Sequence, residues 1–99
     1  MVLPTGTPQA EWDGIQIMAG AGSGWGDEDN YRYTVYATNE EVVDFLRRAL
    51  WAAGWSPFLQ GENPDGSIAM LWYQKDGVDL TIMLTDHPDG MIMIWMMKL

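Results

Sequence analysis

No cysteine occurs among the 99 residues, which excludes disulfides, thiol nucleophiles and cysteine-based zinc sites and leaves the redox compartment unreadable. Basic residues are scarce: five Lys and Arg against fourteen Asp and Glu give a net charge of −9, and the sequence pI is near 4.1. Such a surface repels phosphate backbones and anionic lipid headgroups, so nucleic acid and membrane are not expected partners. The acids are scattered, with Asp27-Glu28-Asp29 the only tight cluster, so they do not build an array imitating DNA. One histidine, His87, is all the imidazole there is. No apolar run approaches the roughly eighteen residues of a membrane span, and no basic segment followed by an apolar one opens the chain as a secretion signal would. The expectation is a soluble chain without membrane insertion.

What the chain does have is apolar bulk: 47% hydrophobic residues, six Trp and eight Met. One domain of this length can build a modest core and lies far from the composition of disordered proteins. Met91-Ile92-Met93-Ile94-Trp95-Met96-Met97 is the most informative stretch. A strand with one wet face alternates apolar with polar, whereas here both alternating sets are apolar and both faces call for a cover.

Only one segment reads as a helix. Thr38 followed three residues later by Glu41 forms a capping box, and Val42, Phe45, Leu46, Ala49, Leu50 and Ala53 recur at spacings of three and four. Gly54 supplies the left-handed residue that ends it, with Trp55 folding back on Leu50, which predicts a helix over 39–53. Ile15 to Ile17 reads as a brief edge strand and Asn30 to Ala37 as a longer one. After the helix, 55–60 is a short strand limited to an edge by Pro57, followed by strands at 67–74, 78–85 and 91–98. Asp76-Gly77 is a two-residue hairpin turn, and His87-Pro88-Asp89-Gly90 is a further turn. Residues 1–12, with Pro4, Gly6 and Pro8, read as a tether or flexible segment, and 13–99 as the single domain. The run Ala19 to Gly26 holds four glycines but no following Lys-Ser or Lys-Thr, so it reads as a loop and not a phosphate cradle. The fold class expected is α+β, one helix packed on an antiparallel sheet of four to six strands in β-β-α-β-β-β order.

The Asp76-Gly77 turn fixes a usable register. Tyr73 then faces Leu80 and Leu71 faces Ile82, an apolar set for the helix to cover. The opposite face carries Ile68, Met70, Trp72, Thr81, Met83 and Thr85. The last hairpin has two registers, one adding Ile92, Ile94 and Met96 to that outer face, the other adding Met91, Met93, Trp95 and Met97. Either yields a larger apolar patch than monomers ordinarily expose. Three covers are open: residues 1–18 folding across it with Trp12, Ile15 and Ile17, a second copy in a symmetric dimer, or a flat small molecule. Methionine adapts its shape and its sulfur contacts rings, which suits an aromatic ligand. The ligand-binding candidates are Trp51, Met70, Trp72, Met83, Met93 and Trp95. Trp51 is the outlier, with Arg47 and Arg48 one turn back, so it either carries a stacked guanidinium or rims a pocket.

Chemistry finds little footing. His87 sits beside Asp86 and Asp89 in a turn, but no nucleophile is tied to it by a motif. Asp27 to Asn30 offers oxygen ligands suited to calcium, yet the spacing matches no EF-hand. No catalytic residue, metal site or cofactor is expected.

Trp12-Asp13-Gly14-Ile15-Gln16-Ile17-Met18, Tyr31-Arg32-Tyr33, Glu40-Glu41-Val42-Val43-Asp44-Phe45, Leu50 with Gly54-Trp55, and Lys75-Asp76-Gly77 together make the chain resemble small uncharacterised bacterial envelope domains of lipoprotein type. The similarity covers most of residues 12–96 and is carried by caps, turns and core positions. It implies an α+β fold, an extracytoplasmic setting with residues 2–10 as a Pro/Thr-rich tether, and no catalytic set. Leu46, Ala19 and Ala53 depart from the family pattern. With the surplus of Trp and Met, they imply a remodelled interior, as in an engineered or selected derivative. The functional expectation is a non-catalytic binding domain with a Trp/Met-rich pocket or surface for a small hydrophobic or aromatic ligand. The alternatives are a homodimeric interaction module of the cell envelope and an engineered enzyme built in an apolar pocket.

Overall fold

Nine elements follow one another in the computed structural model, which describes residues 6–98. They are β1 (Glu11–Trp12), β2 (Ile15–Gln16), β3 (Ser23–Gly26), β4 (Asn30–Tyr36), α1 (Asn39–Ala52), β5 (Ser56–Glu62), β6 (Ile68–Lys75), β7 (Val78–Asp86) and β8 (Met91–Lys98). β1 and β2 form a two-stranded sheet of their own, and the other six strands form one sheet in the spatial order β3-β4-β8-β7-β6-β5, every pair antiparallel. The chain therefore lays down β4, sends α1 across to the far edge, and returns strand by strand until β8 closes against β4.

The α+β class and the single helix on an antiparallel sheet match the expectation, but the order is richer: four strands precede α1 and four follow it. The extra strands lie where glycine masked the pattern. β3 falls inside the run read as a loop, and its glycines answer to packing. A Cβ on Gly24 would meet the Tyr31 hydroxyl, and one on Gly26 would lie 2.6 Å from Tyr31 Cα, so the edge strand closes on β4 only where side chains are missing. β1 and β2 are joined by Asp13-Gly14, with φ of 51° and 79°, the same two-residue turn as Asp76-Gly77 at 51° and 80°.

α1 begins and ends as its sequence dictates. The Glu41 amide donates to Thr38 Oγ1 at 3.1 Å and the Thr38 amide to Glu41 Oε1 at 3.0 Å, a reciprocal cap that satisfies two otherwise orphan donors. The Thr38 backbone N–H, and after it the Thr38 hydroxyl, hold the Glu41 carboxyl below its ordinary value of 4.5. At the other end Gly54 sits at φ 89°, while the Trp55 amide donates to the Leu50 carbonyl and the Gly54 amide to that of Trp51, the paired bonds of a Schellman stop. Lys75 Nζ donates to the Ala53 carbonyl at 2.7 Å, placing a cation on the negative end of the helix.

The core lies between α1 and one face of the sheet. Val42, Leu46 and Leu50 from the helix meet Tyr31, Tyr33, Ile82, Ile94 and Met96 from the central strands, all buried. The N-terminal hairpin packs into this same layer. Trp12 stacks on Tyr31 with ring centroids 6.3 Å apart, donates its indole N–H to the Asp27 carbonyl and lies under Lys98 Nζ. Ile15 and Ile17 are buried beside it. Of the segment read as a tether, residues 1–5 lie outside the described residues, and Trp12 belongs to the core. Trp12, Ile15 and Ile17 thus finish the helix side and do not cross the outer face.

Tyr33 puts a phenol into this apolar layer. Burial drives its pKa far above the ordinary 10.0, the Met18 backbone pulls it only partly back, and the hydroxyl has no hydrogen-bond partner among the described residues. Because the folded state resists ionisation, this contribution to stability is complete below the unfolded value of 10.0 and is lost progressively as pH rises beyond it. Tyr33→Phe should therefore flatten the alkaline limb of a stability-versus-pH curve measured by urea unfolding; an unchanged limb would show that the phenol is not buried. For the helix ends, Thr38→Ala should lose about 1 kcal/mol. Gly54→Val, which forces a β-branched residue to positive φ, should lose more. Equilibrium unfolding of both variants checks the order.

Candidate binding face

The sheet face turned away from α1 is where the uncommon residues collect. The register of the last hairpin is settled by Thr34 opposite Met93, Arg32 opposite Trp95, Met83 opposite Trp95 and Thr81 opposite Met97. Ile92, Ile94 and Met96 go to the core, and Met91, Met93, Trp95 and Met97 go to the outer face. Across the middle of that face runs one row, Trp25, Arg32, Trp95, Met83, Met70, each opposite the next on neighbouring strands β3, β4, β8, β7 and β6. A neighbouring row carries Asn30, Met97, Thr81, Trp72 and Leu59, and on the other side lie Ser23, Thr34, Met93 and Thr85.

Five of the six residues predicted from sequence, Met70, Trp72, Met83, Met93 and Trp95, are brought together here. Met93 is fully buried under its neighbours while the other four are half-buried, so the face is a packed apolar floor that no described element covers. Trp51 does not belong to it. Its indole, 76% exposed, stands on α1 beside Trp55, Pro57, Phe58 and Leu59, lining a groove of about 470 Å³ between the helix and edge strand β5. The guanidinium of Arg47, a neighbour in that groove, donates to Gln60 Oε1 at 3.0 Å. Phe58 and Leu59 are also exposed there, and the edge itself is blunted by Pro57 and two register shifts, which discourages pairing with another strand.

Arg32 and Trp25 were not singled out by sequence reasoning, and they change the character of the outer face. The Arg32 guanidinium carbon lies 4.8 Å from the Trp95 ring centroid and 5.7 Å from that of Trp25, so the cation is held between two indoles on adjacent strands. It forms no salt bridge and no side-chain hydrogen bond among the described residues, and Arg32 Nε and Trp95 Nε1 are both buried without an acceptor. The signal for Arg32 lay in its alternation with Tyr31 and Tyr33, which puts it on the uncovered face. For Trp25 that signal was hidden by the flanking glycines.

Elsewhere most polar groups are occupied, although His87 Nε2 and Trp55 Nε1 are also buried without a hydrogen-bond partner among the described residues. Asp27 Oδ1 accepts from the Asp29 and Asn30 amides and from Asn30 Nδ2, so this carboxylate closes its own turn, and those backbone N–H groups hold its pKa below the ordinary 3.8. No group of three or more metal-ligating side chains occurs among the described residues. The amide and carbonyl of His87 shape its turn, bonding to Met91 and Gly90. Asp89 in the same turn accepts from the Met91 amide and from the Tyr36 hydroxyl, which lower its pKa in that order. The groove at the start of α1, about 950 Å³, is lined by Glu40, Glu41, Asp44 and Asp65 with Ser67 and Thr38, a solvated acidic surface. No helix among the described residues is long and apolar enough to cross a membrane.

Neither a protein-family model, nor a curated protein, nor a solved structure shows significant similarity to this chain. The resemblance to envelope domains therefore rests on its capping, turn and core residues alone.

Proposed function

We propose that this chain is a non-catalytic binding module whose outer sheet face takes a flat, largely apolar ligand against Trp95, Met83, Met70 and Trp72. One observation carries the reading: these side chains share a continuous face that no described element covers. Thioether side chains fit rings of varied outline, and indoles add contact area at little entropic cost, so the composition favours a planar aromatic compound over an aliphatic chain. The envelope-domain resemblance supports the same reading, since its motifs include no catalytic set. A second copy is a poorer occupant. A symmetric dimer through this face would bury Arg32 in the interface on both copies, a desolvation cost that a small ligand bearing its own acceptor avoids.

Nile red, a neutral solvatochromic dye, should bind with a blue shift and quench tryptophan emission. Met83→Glu, which sets a charge in the middle of the row, should weaken binding at least about tenfold, a loss of some 1.4 kcal/mol. Trp51→Ala should leave it unchanged, because that indole stands in the separate groove by β5. The reading fails if the dye binds no tighter than about millimolar, or if Trp51→Ala is the substitution that matters. Light scattering alongside should report the 11.2 kDa monomer; twice that mass, reduced by Met83→Glu, would identify the dimer instead.

A further inference from the structure

Resting on that reading, we infer that the ligand of the outer face is an aromatic monoanion, its ring on Trp95 and Met83 and its carboxylate on the Arg32 guanidinium. The chain holds five Lys and Arg among fourteen Asp and Glu, so a cation without a carboxylate or other acceptor is against the odds. The other four each have a polar partner. Arg48 pairs with Asp44, Lys98 with Asp13, Lys75 with the Ala53 carbonyl and Arg47 with Gln60. Among the described residues Arg32 has only the two indoles, which accept no ordinary hydrogen bond, and its Nε–H is without an acceptor. A planar fork beside an apolar floor matches a carboxylate attached to a ring, since bidentate geometry and ring contact are then made together.

The net charge of −9 narrows the class further. Polyanions and anionic membranes are repelled by the molecule as a whole, while a single negative charge placed directly on Arg32 gains more from that contact than it loses to the screened remainder. The specificity element is therefore local, one arginine on an otherwise uncharged row.

The test compares naphthalene-2-carboxylate with the neutral naphthalene-2-carboxamide by calorimetry on the full chain. Wild type should bind the carboxylate at least about tenfold more tightly. Arg32→Gln should abolish that preference while keeping the carboxamide affinity, and Arg32→Lys, which keeps the charge without the fork, should fall between. In wild type the Arg32 Nε–H resonance should move with the carboxylate and not with the carboxamide, a readout that does not depend on any variant folding. Equal wild-type affinities, or a preference that survives Arg32→Gln, would overturn the assignment of an anion while leaving the apolar face intact. If neither compound binds but Nile red does, the anion assignment falls by itself, and if none of the three binds, both readings fall.

Discussion

A central strand with two apolar faces and one helix to cover them is the constraint from which the rest of this molecule follows. β8 is flanked by β4 and β7, so its backbone is fully paired and its side chains must go alternately up and down. Ile92, Ile94 and Met96 face α1 and the N-terminal hairpin; Met91, Met93, Trp95 and Met97 face the other side, where Met93 is fully buried and the rest are half-buried. Slipping the register by one residue would exchange the two sets, placing a Trp in the tight layer under Leu46 and Leu50. The three branched or flexible side chains that do face the helix fill that layer, and the bulky indole is left outside. Trp12, Ile15 and Ile17 add to the same buried side.

The outer face compensates partly through its own side chains. Trp95, Arg32 and Trp25 lie side by side across β8, β4 and β3, and the guanidinium between the rings both fills space and lowers the exposed apolar area. A cation in that position is stabilised by the indole faces and by the negative field of the molecule as a whole, and no carboxylate among the described residues pairs with it. It is thus fixed in place yet chemically unspent, which distinguishes this surface from an ordinary greasy patch.

Much of this was legible in the sequence because it is local. The Thr38/Glu41 box, the Gly54 stop and the Asp76-Gly77 turn each operate within six residues, and the turn alone propagates a register far enough to place Met70, Trp72 and Met83 on one face. What escaped depended on long-range closure. Whether Trp12 would lie over the helix side or the outer face is decided by Tyr31, nineteen positions away. β3 was hidden because Gly24 and Gly26, needed for close approach to Tyr31, look like loop residues when read alone. Trp51 was grouped with the sheet residues because a border position on a helix does not say which neighbour it borders, and here that neighbour is edge strand β5. Arg32 was not singled out, since its lack of a carboxylate partner among the described residues is visible only in three dimensions.

The central claim is that binding occurs on the face opposite α1, and methionine methyl groups report on both faces at once. With 13C-methyl methionine in the full chain, addition of naphthalene-2-carboxylate should shift the Met70, Met83 and Met93 resonances and leave that of Met96, buried on the helix side, in place. Shifts centred on Met96 and Met18, with the outer methionines unmoved, would contradict the account by placing the ligand within the helix layer.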